Sequence, residues 1–152
     1  PVVDVPRKSL LAADPLMANE HEAGLILEQL GLDDAGTPED LARRLLEAGF
    51  ASVVLTLGSA GALVATAEEL THIDSPKVEA VDTVGAGDSF MSGLISGLLD
   101  LGLLGGVEAR QRLAHAREDD VRPALARAIA TSSTTVTRAG SNPPTREEIA
   151  GL

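Results

Sequence analysis

A chain of 152 residues that is 44% hydrophobic and 23% charged carries enough apolar material for one domain with a core of its own. Its net charge of −11 argues against nucleic acid and against an anionic membrane surface as partners, since both call for a basic footprint. The absence of cysteine excludes disulfides and thiolate metal sites and suits a reducing, cytoplasmic setting, and with Phe50 and Phe90 the only aromatics the core must be Leu, Val, Ile and Ala.

Residues 1–5 read as a short buried strand, so the chain opens inside an element, as a piece of something longer would. Residues 10–18 read as a short helix and then a strand ending near Asn19. Residues 20–30 have helical periodicity, with Ala23, Ile26, Leu27 and Leu30 on one face and Gly31 as the stop. Thr37-Pro38-Glu39-Asp40 is a helix start, with a Thr cap, Pro at the first position and an acid three residues on; that helix runs to Gly49. The continuous apolar run over residues 52–57 suits a buried parallel strand. Gly58-Ser59-Ala60-Gly61 turns the chain into a hairpin partner over residues 62–65. Residues 71–73 and 78–81 are expected to be further short strands.

Residues 85–99 then read as a Gly-rich helix and 106–116 as an amphipathic one. Residues 117–121 read as a charged loop, residues 122–136 as a helix of small residues, and Thr145-Arg146-Glu147-Glu148 as a second capping box opening a last short helix. No signal-peptide pattern opens the chain, and the most apolar stretch, residues 93–106, is too short to span a bilayer and contains Asp100. The expected fold is one α/β domain over residues 1–152, three-layer α/β/α with a mostly parallel sheet.

The chemistry is concentrated in Asp82-Thr83-Val84-Gly85-Ala86-Gly87-Asp88-Ser89-Phe90. A strand is expected to end at Val81, small residues follow, and a helix begins. Amides at a helix N-terminus carry partial positive charge, and Gly and Ala leave them open to an anion. A carboxylate at Asp88 beside such a pocket is explained if it takes a proton from a hydroxyl while the amides hold the phosphoryl group under attack. Simple capping by Asp88 is the plain alternative. Gly87-Asp88-Ser89 also imitates a hydrolase block with Ser89 as nucleophile, although the only later histidine is His115. The start of a dinucleotide fingerprint fails, since Phe90 stands where its third Gly belongs.

Residues 82–90 resemble the D-T-x-G-A-G-D-x-F signature of ribokinase (PfkB) family carbohydrate kinases. The resemblance implies a ribokinase-like fold and ATP-dependent phosphorylation of a sugar hydroxyl. It assigns Asp88 as catalytic base and the Gly85, Ala86 and Gly87 amides as the anion hole. Asn19-Glu20-His21-Glu22 resembles the family's N-x-x-E motif, giving Asn19 and Glu22 a part in arranging Mg²⁺ and phosphate; an ordinary cap and solvated face is the alternative. Thr56-Leu57-Gly58-Ser59-Ala60-Gly61 resembles the turn along the ATP phosphates, which assigns Thr56, Gly58, Ser59 and Gly61. Residues 136–141 resemble the loop that can hold a monovalent cation such as K⁺, with Asp82 as a direct ligand and Val84, Thr135, Arg138 and Gly140 offering carbonyls.

Two positions depart from the family pattern: Ser141 stands for an Ala, and Ile129 falls where some members place a polar adenine contact. Asp4 and Arg7 resemble the strand near the family's mid-point, so the sugar-binding and lid half is expected before residue 1. A homodimer would form through that lid. Fructose is the first substrate expected, from the wording of residues 82–91; ribose, ketodeoxygluconate and nucleosides are the others. A truncated, non-catalytic nucleotide-binding module is the alternative from another class.

Overall fold

The computed structural model describes residues 5–12 and 15–149. After a short helix α1 (Arg7–Leu10), strand β1 (Leu16–Asn19) leads into α2 (Glu20–Gln29) and α3 (Pro38–Glu47), then β2 (Val53–Thr56). A 3₁₀ turn, Gly58–Ala60, joins β2 to β3 (Ala62–Ala65), and β4 (Leu70–Ile73) follows. The remaining described elements are helical: α4 (Ala86–Asp100), α5 (Ala109–Ala114), α6 (Glu118–Val136) and α7 (Arg146–Ile149).

The sheet runs β1-β2-β3-β4. Side chains alternate across it with period two, and each face receives its own helices. Val53, Leu55, Leu63 and Ala65 bury against Ala23, Ile26 and Leu27 of α2 and Leu41 and Leu45 of α3. Val54, Ala62 and Val64 bury against Phe90, Leu94 and Leu98 of α4 and Leu125 and Ile129 of α6. The three-layer α/β/α reading therefore holds. The sheet itself is mixed rather than mostly parallel: β1 pairs β2 in parallel, while β2–β3 and β3–β4 are antiparallel. The reason lies in the connections. The four-residue turn at 58–61 can join only antiparallel neighbours, whereas α2 and α3 supply the long crossover that a parallel pair needs.

Helices α4 and α6 pack backbone to backbone. A Cβ at Gly97 would lie 2.5 Å from Ala124 Cα, and one at Gly93 would lie 2.8 Å from Ala128 Cα. Only glycine permits that approach, and it brings Leu94, Leu98, Ala124, Leu125 and Ala128 into one layer.

Five expectations are corrected. Residues 78–81 are loop, with Val78 and Val81 exposed; the Val81 N–H bonds the Val136 carbonyl at 2.7 Å, so this segment is fastened to the end of α6 rather than to a strand. The charged loop at 117–121 is the first turn of α6: Asp120 accepts the Arg117 N–H at 2.9 Å, and three acids sit where the helix dipole favours them. The helix over 106–116 shrinks to α5, and the one expected from residue 10 sits earlier, at α1. Of the strand expected at 1–5, residues 1–4 lie outside the described residues, and Val5 is in no strand. The capping boxes at Thr37–Asp40 and Thr145–Glu148 form as expected.

Candidate functional site

Gly85 caps α4 in the left-handed conformation, φ 78°, where a side chain would strike Ser141. That conformation aims the loop into the helix. The Ser89 N–H opens the ladder on the Gly85 carbonyl at 2.9 Å, and the Ala86 N–H closes a turn on Thr83 at 3.2 Å. The N–H groups of Gly85, Gly87 and Asp88 bond no backbone carbonyl or side chain among the described residues. Of the three residues expected to offer amides, Ala86 thus directs its own inward, while Asp88 adds one. The Asp88 carboxylate is exposed and takes no hydrogen bond from the described residues.

Two adjoining cavities open at this helix end and share Gly58, Ala86 and Ser132. The smaller, about 110 Å³, is lined also by Thr56, Gly61, Gly87 and Phe90. The larger, about 400 Å³, extends along Ser59, Lys77, Val78, Ser133 and Val136. The fold thus brings Thr56, Gly58, Ser59 and Gly61 opposite Ala86 and Gly87. The cleft lies at the carboxyl end of β2, the usual place for a ligand in an open α/β sheet. Lys77, Val78, Ser132 and Ser133 carry no motif, so local sequence did not mark them as cavity wall. Ile129 does the reverse. It is only 6% exposed, packs in the core between sheet and helices, and lines neither cavity.

Asn19 pairs in register with Thr56 at the same end of the sheet. Its side chain accepts the Glu22 N–H at 2.9 Å, and Glu22 Oε2 accepts the Asn19 N–H at 3.0 Å. The pair forms a capping box, and among the described residues no cluster of three or more metal-ligating side chains occurs. Glu22 Oε1 has no partner among the described residues, so the exposed pair fits a hydrated Mg²⁺ held through water.

Asp82 ties two loops together: its carboxylate accepts the Val84 and Gly140 N–H groups, each at 3.0 Å. These bonds, Val84's first, hold its carboxyl below the ordinary aspartate range. Each Asp82 oxygen accepts one of these bonds, and the carbonyls expected to join it at a cation site are those of Val84, Thr135, Arg138 and Gly140. Of these, the Thr135 carbonyl already accepts the Arg138 N–H at 3.0 Å, while the Arg138 side chain is drawn to Glu148 at 2.6 Å.

Ser89 is not placed for nucleophilic chemistry. It is 3% exposed, its hydroxyl meets that of Thr135 at 2.9 Å, and His115 pairs elsewhere, with Glu68 at 3.0 Å. The hydrolase alternative is overturned by that burial.

The model of the pfkB family of carbohydrate kinases matches residues 4–148. The chain is 42% identical over 93 residues to an ATP-dependent 6-phosphofructokinase of Thermoanaerobacterium thermosaccharolyticum, covering 60% of this chain and 27% of that protein. It superimposes on a ribokinase of Thermotoga maritima with a TM-score of 0.75 at 26% identity, covering 99% of this chain and 46% of that one. An aminoimidazole riboside kinase of Salmonella enterica, complexed with aminoimidazole riboside and an ATP analogue, is similar at a TM-score of 0.70 and 26% identity, over 95% of this chain and 43% of that one. The chain therefore spans between about a quarter and a half of the length of these proteins.

Proposed function

The chain belongs to the pfkB family of carbohydrate kinases, and we propose that it supplies the nucleotide-binding and catalytic part of an ATP-dependent sugar kinase. The observation that carries this reading is the cleft in which Ala86 and Gly87 of the α4 N-terminus stand opposite Gly58 and Gly61, with the exposed Asp88 next in the chain and the amides of Gly85, Gly87 and Asp88 unpaired among the described residues. In the reaction the sugar hydroxyl oxygen attacks the γ-phosphorus of ATP, the bond to the β-phosphate oxygen breaks, ADP leaves, and Asp88 takes the hydroxyl proton. The Gly85 and Gly87 amides, with that of Asp88 and a realigned Ala86, would face the developing negative charge. Thr56, Gly58, Ser59 and Gly61 would line the phosphates.

Asn19 and Glu22 would hold hydrated Mg²⁺, which supplies charge neutralisation on the phosphates. Asp82, with the Val84, Thr135, Arg138 and Gly140 carbonyls, would hold K⁺ and fix the loop from which α4 starts. Fructose is the first substrate to try. Ribose, ketodeoxygluconate, nucleosides and phosphorylated fructose follow, the last because of the phosphofructokinase relative. A nucleotide-binding module without turnover is favoured by one observation, the lack of any group orienting the Asp88 carboxylate among the described residues.

The test is release of ADP from Mg-ATP in potassium and sodium buffers across that sugar panel. Sugar-dependent ADP release supports the kinase. Saturable nucleotide binding with no release on any sugar supports the module. No binding by the folded protein would overturn both.

A further inference from the structure

Lys77 presents a feature the family motifs do not touch. The chain holds only two lysines, Lys8 and Lys77. Lys77 lines the 400 Å³ cavity together with Gly58 and Ser59, and every other residue lining that cavity is uncharged. It makes no ion pair or hydrogen bond with the described residues. The cavity joins the one at the α4 N-terminus through Gly58, Ala86 and Ser132. A polyanion spanning the two cavities, from Gly87 at the α4 N-terminus to Pro76, Val78 and Val136, therefore lies against the wall that carries Lys77.

We propose that Lys77 is the cationic contact for the phosphate chain of the nucleotide and sets the preference for nucleoside polyphosphates over unphosphorylated nucleosides. This rests on the nucleotide reading of the cleft. A chain of net charge −11 repels a polyanion at long range, so a local cation has to offset that field at the cleft. An ammonium on a flexible stem suits the task, since it acts as a point charge and follows phosphate oxygens over a range of positions. The loop placement explains why no motif marks it. Residues 74–81 reach the cleft because the Val81 and Asp82 N–H groups bond the Val136 carbonyl, a contact set by the end of α6.

The experiment is calorimetric titration of the full-length wild type and of Lys77→Met and Lys77→Arg with Mg-ATP, Mg-ADP and adenosine, at two salt concentrations. Lys77 is exposed, and Met keeps most of the stem, so folding is not at stake. The expected result is a loss of about tenfold for ATP and ADP in Lys77→Met, the low end for a charge-assisted contact open to solvent. Adenosine affinity should be unchanged, Lys77→Arg close to wild type, and the salt dependence shallower in Lys77→Met. Equal ATP affinity in wild type and Lys77→Met overturns the role of Lys77 and leaves the nucleotide reading standing. An equal loss for adenosine also overturns it, since the stem rather than the charge would then be the contact. Failure of folded wild type to bind any nucleotide removes the reading and the inference together.

Discussion

The hydroxyls of Ser89 and Thr135 meet at 2.9 Å in the interior, with Thr135 fully buried. This contact pins the first turn of α4, which carries Asp88, to the last turn of α6. Thr135 also bonds the Thr131 carbonyl, so the pair closes a small polar network inside an apolar layer.

Thr135→Val keeps the shape but leaves the Ser89 hydroxyl buried without its partner. Urea unfolding should show a loss of about 1–3 kcal/mol. Ser89→Ala added to it should cost less than the sum of the two single changes, since the second removes the orphan left by the first. Strict additivity would show that the two hydroxyls do not depend on each other.

Gly97→Ala sets two effects against each other. Alanine favours the helix by about 1 kcal/mol, but its Cβ would stand 2.5 Å from Ala124 Cα, backbone that cannot yield without moving α6. Overpacking wins, and a net loss of about 1–3 kcal/mol is expected. The same change at Gly24 of α2 meets only the Asp34 side chain at 3.5 Å, so there the helix term decides and stability should rise or stay level. Thermal melts of the two variants should move in opposite directions, or Gly24→Ala should not move at all.

Asp82 links the loop before α4 to the loop after α6, and its pKa is depressed by the two amide bonds. A depressed folded pKa means that the carboxylate contributes stability above its unfolded value and loses that contribution as pH falls through the folded one. Loosening of the two loops should therefore set in only in strong acid. A carboxyl titration followed by NMR should place Asp82 below an ordinary aspartate. Asp82→Asn should make hydrogen exchange at Gly140 faster at neutral pH.

Asp88→Asn removes the proposed base while preserving size. In the assayed kinase, turnover should fall by about 10²–10⁴-fold with nucleotide affinity little changed. Unaltered turnover would remove Asp88 from the chemistry, whereas a parallel loss of nucleotide affinity would make its role one of binding.

The sequence alone determined the features whose causes are three or four residues apart. The capping boxes at Thr37–Asp40 and Thr145–Glu148, the Gly85 start of α4 and the hairpin turn after Thr56 are all written in neighbouring residue types. The alternation that sends Val53 and Leu55 to one face and Val54 to the other is equally local, as is the motif that led to the family. Asn19 and Glu22 could be read locally as a cap or as metal-arranging residues, and the fold places the cap beside Thr56, which keeps both open to a ligand at the strand ends.

Only the tertiary structure decided which side chains line the cleft. Val81 looks like strand, but its N–H finds Val136, 55 residues on, and that bond turns residues 74–81 into a cavity wall carrying Lys77. Ile129 and Ser89 look available in the sequence, yet the close approach of α4 and α6 through Gly93 and Gly97 buries both. Burial and cavity lining depend on partners distant in the chain, which short-range patterns do not encode. Helix caps and strand faces depend on neighbours, which is why those could be read directly.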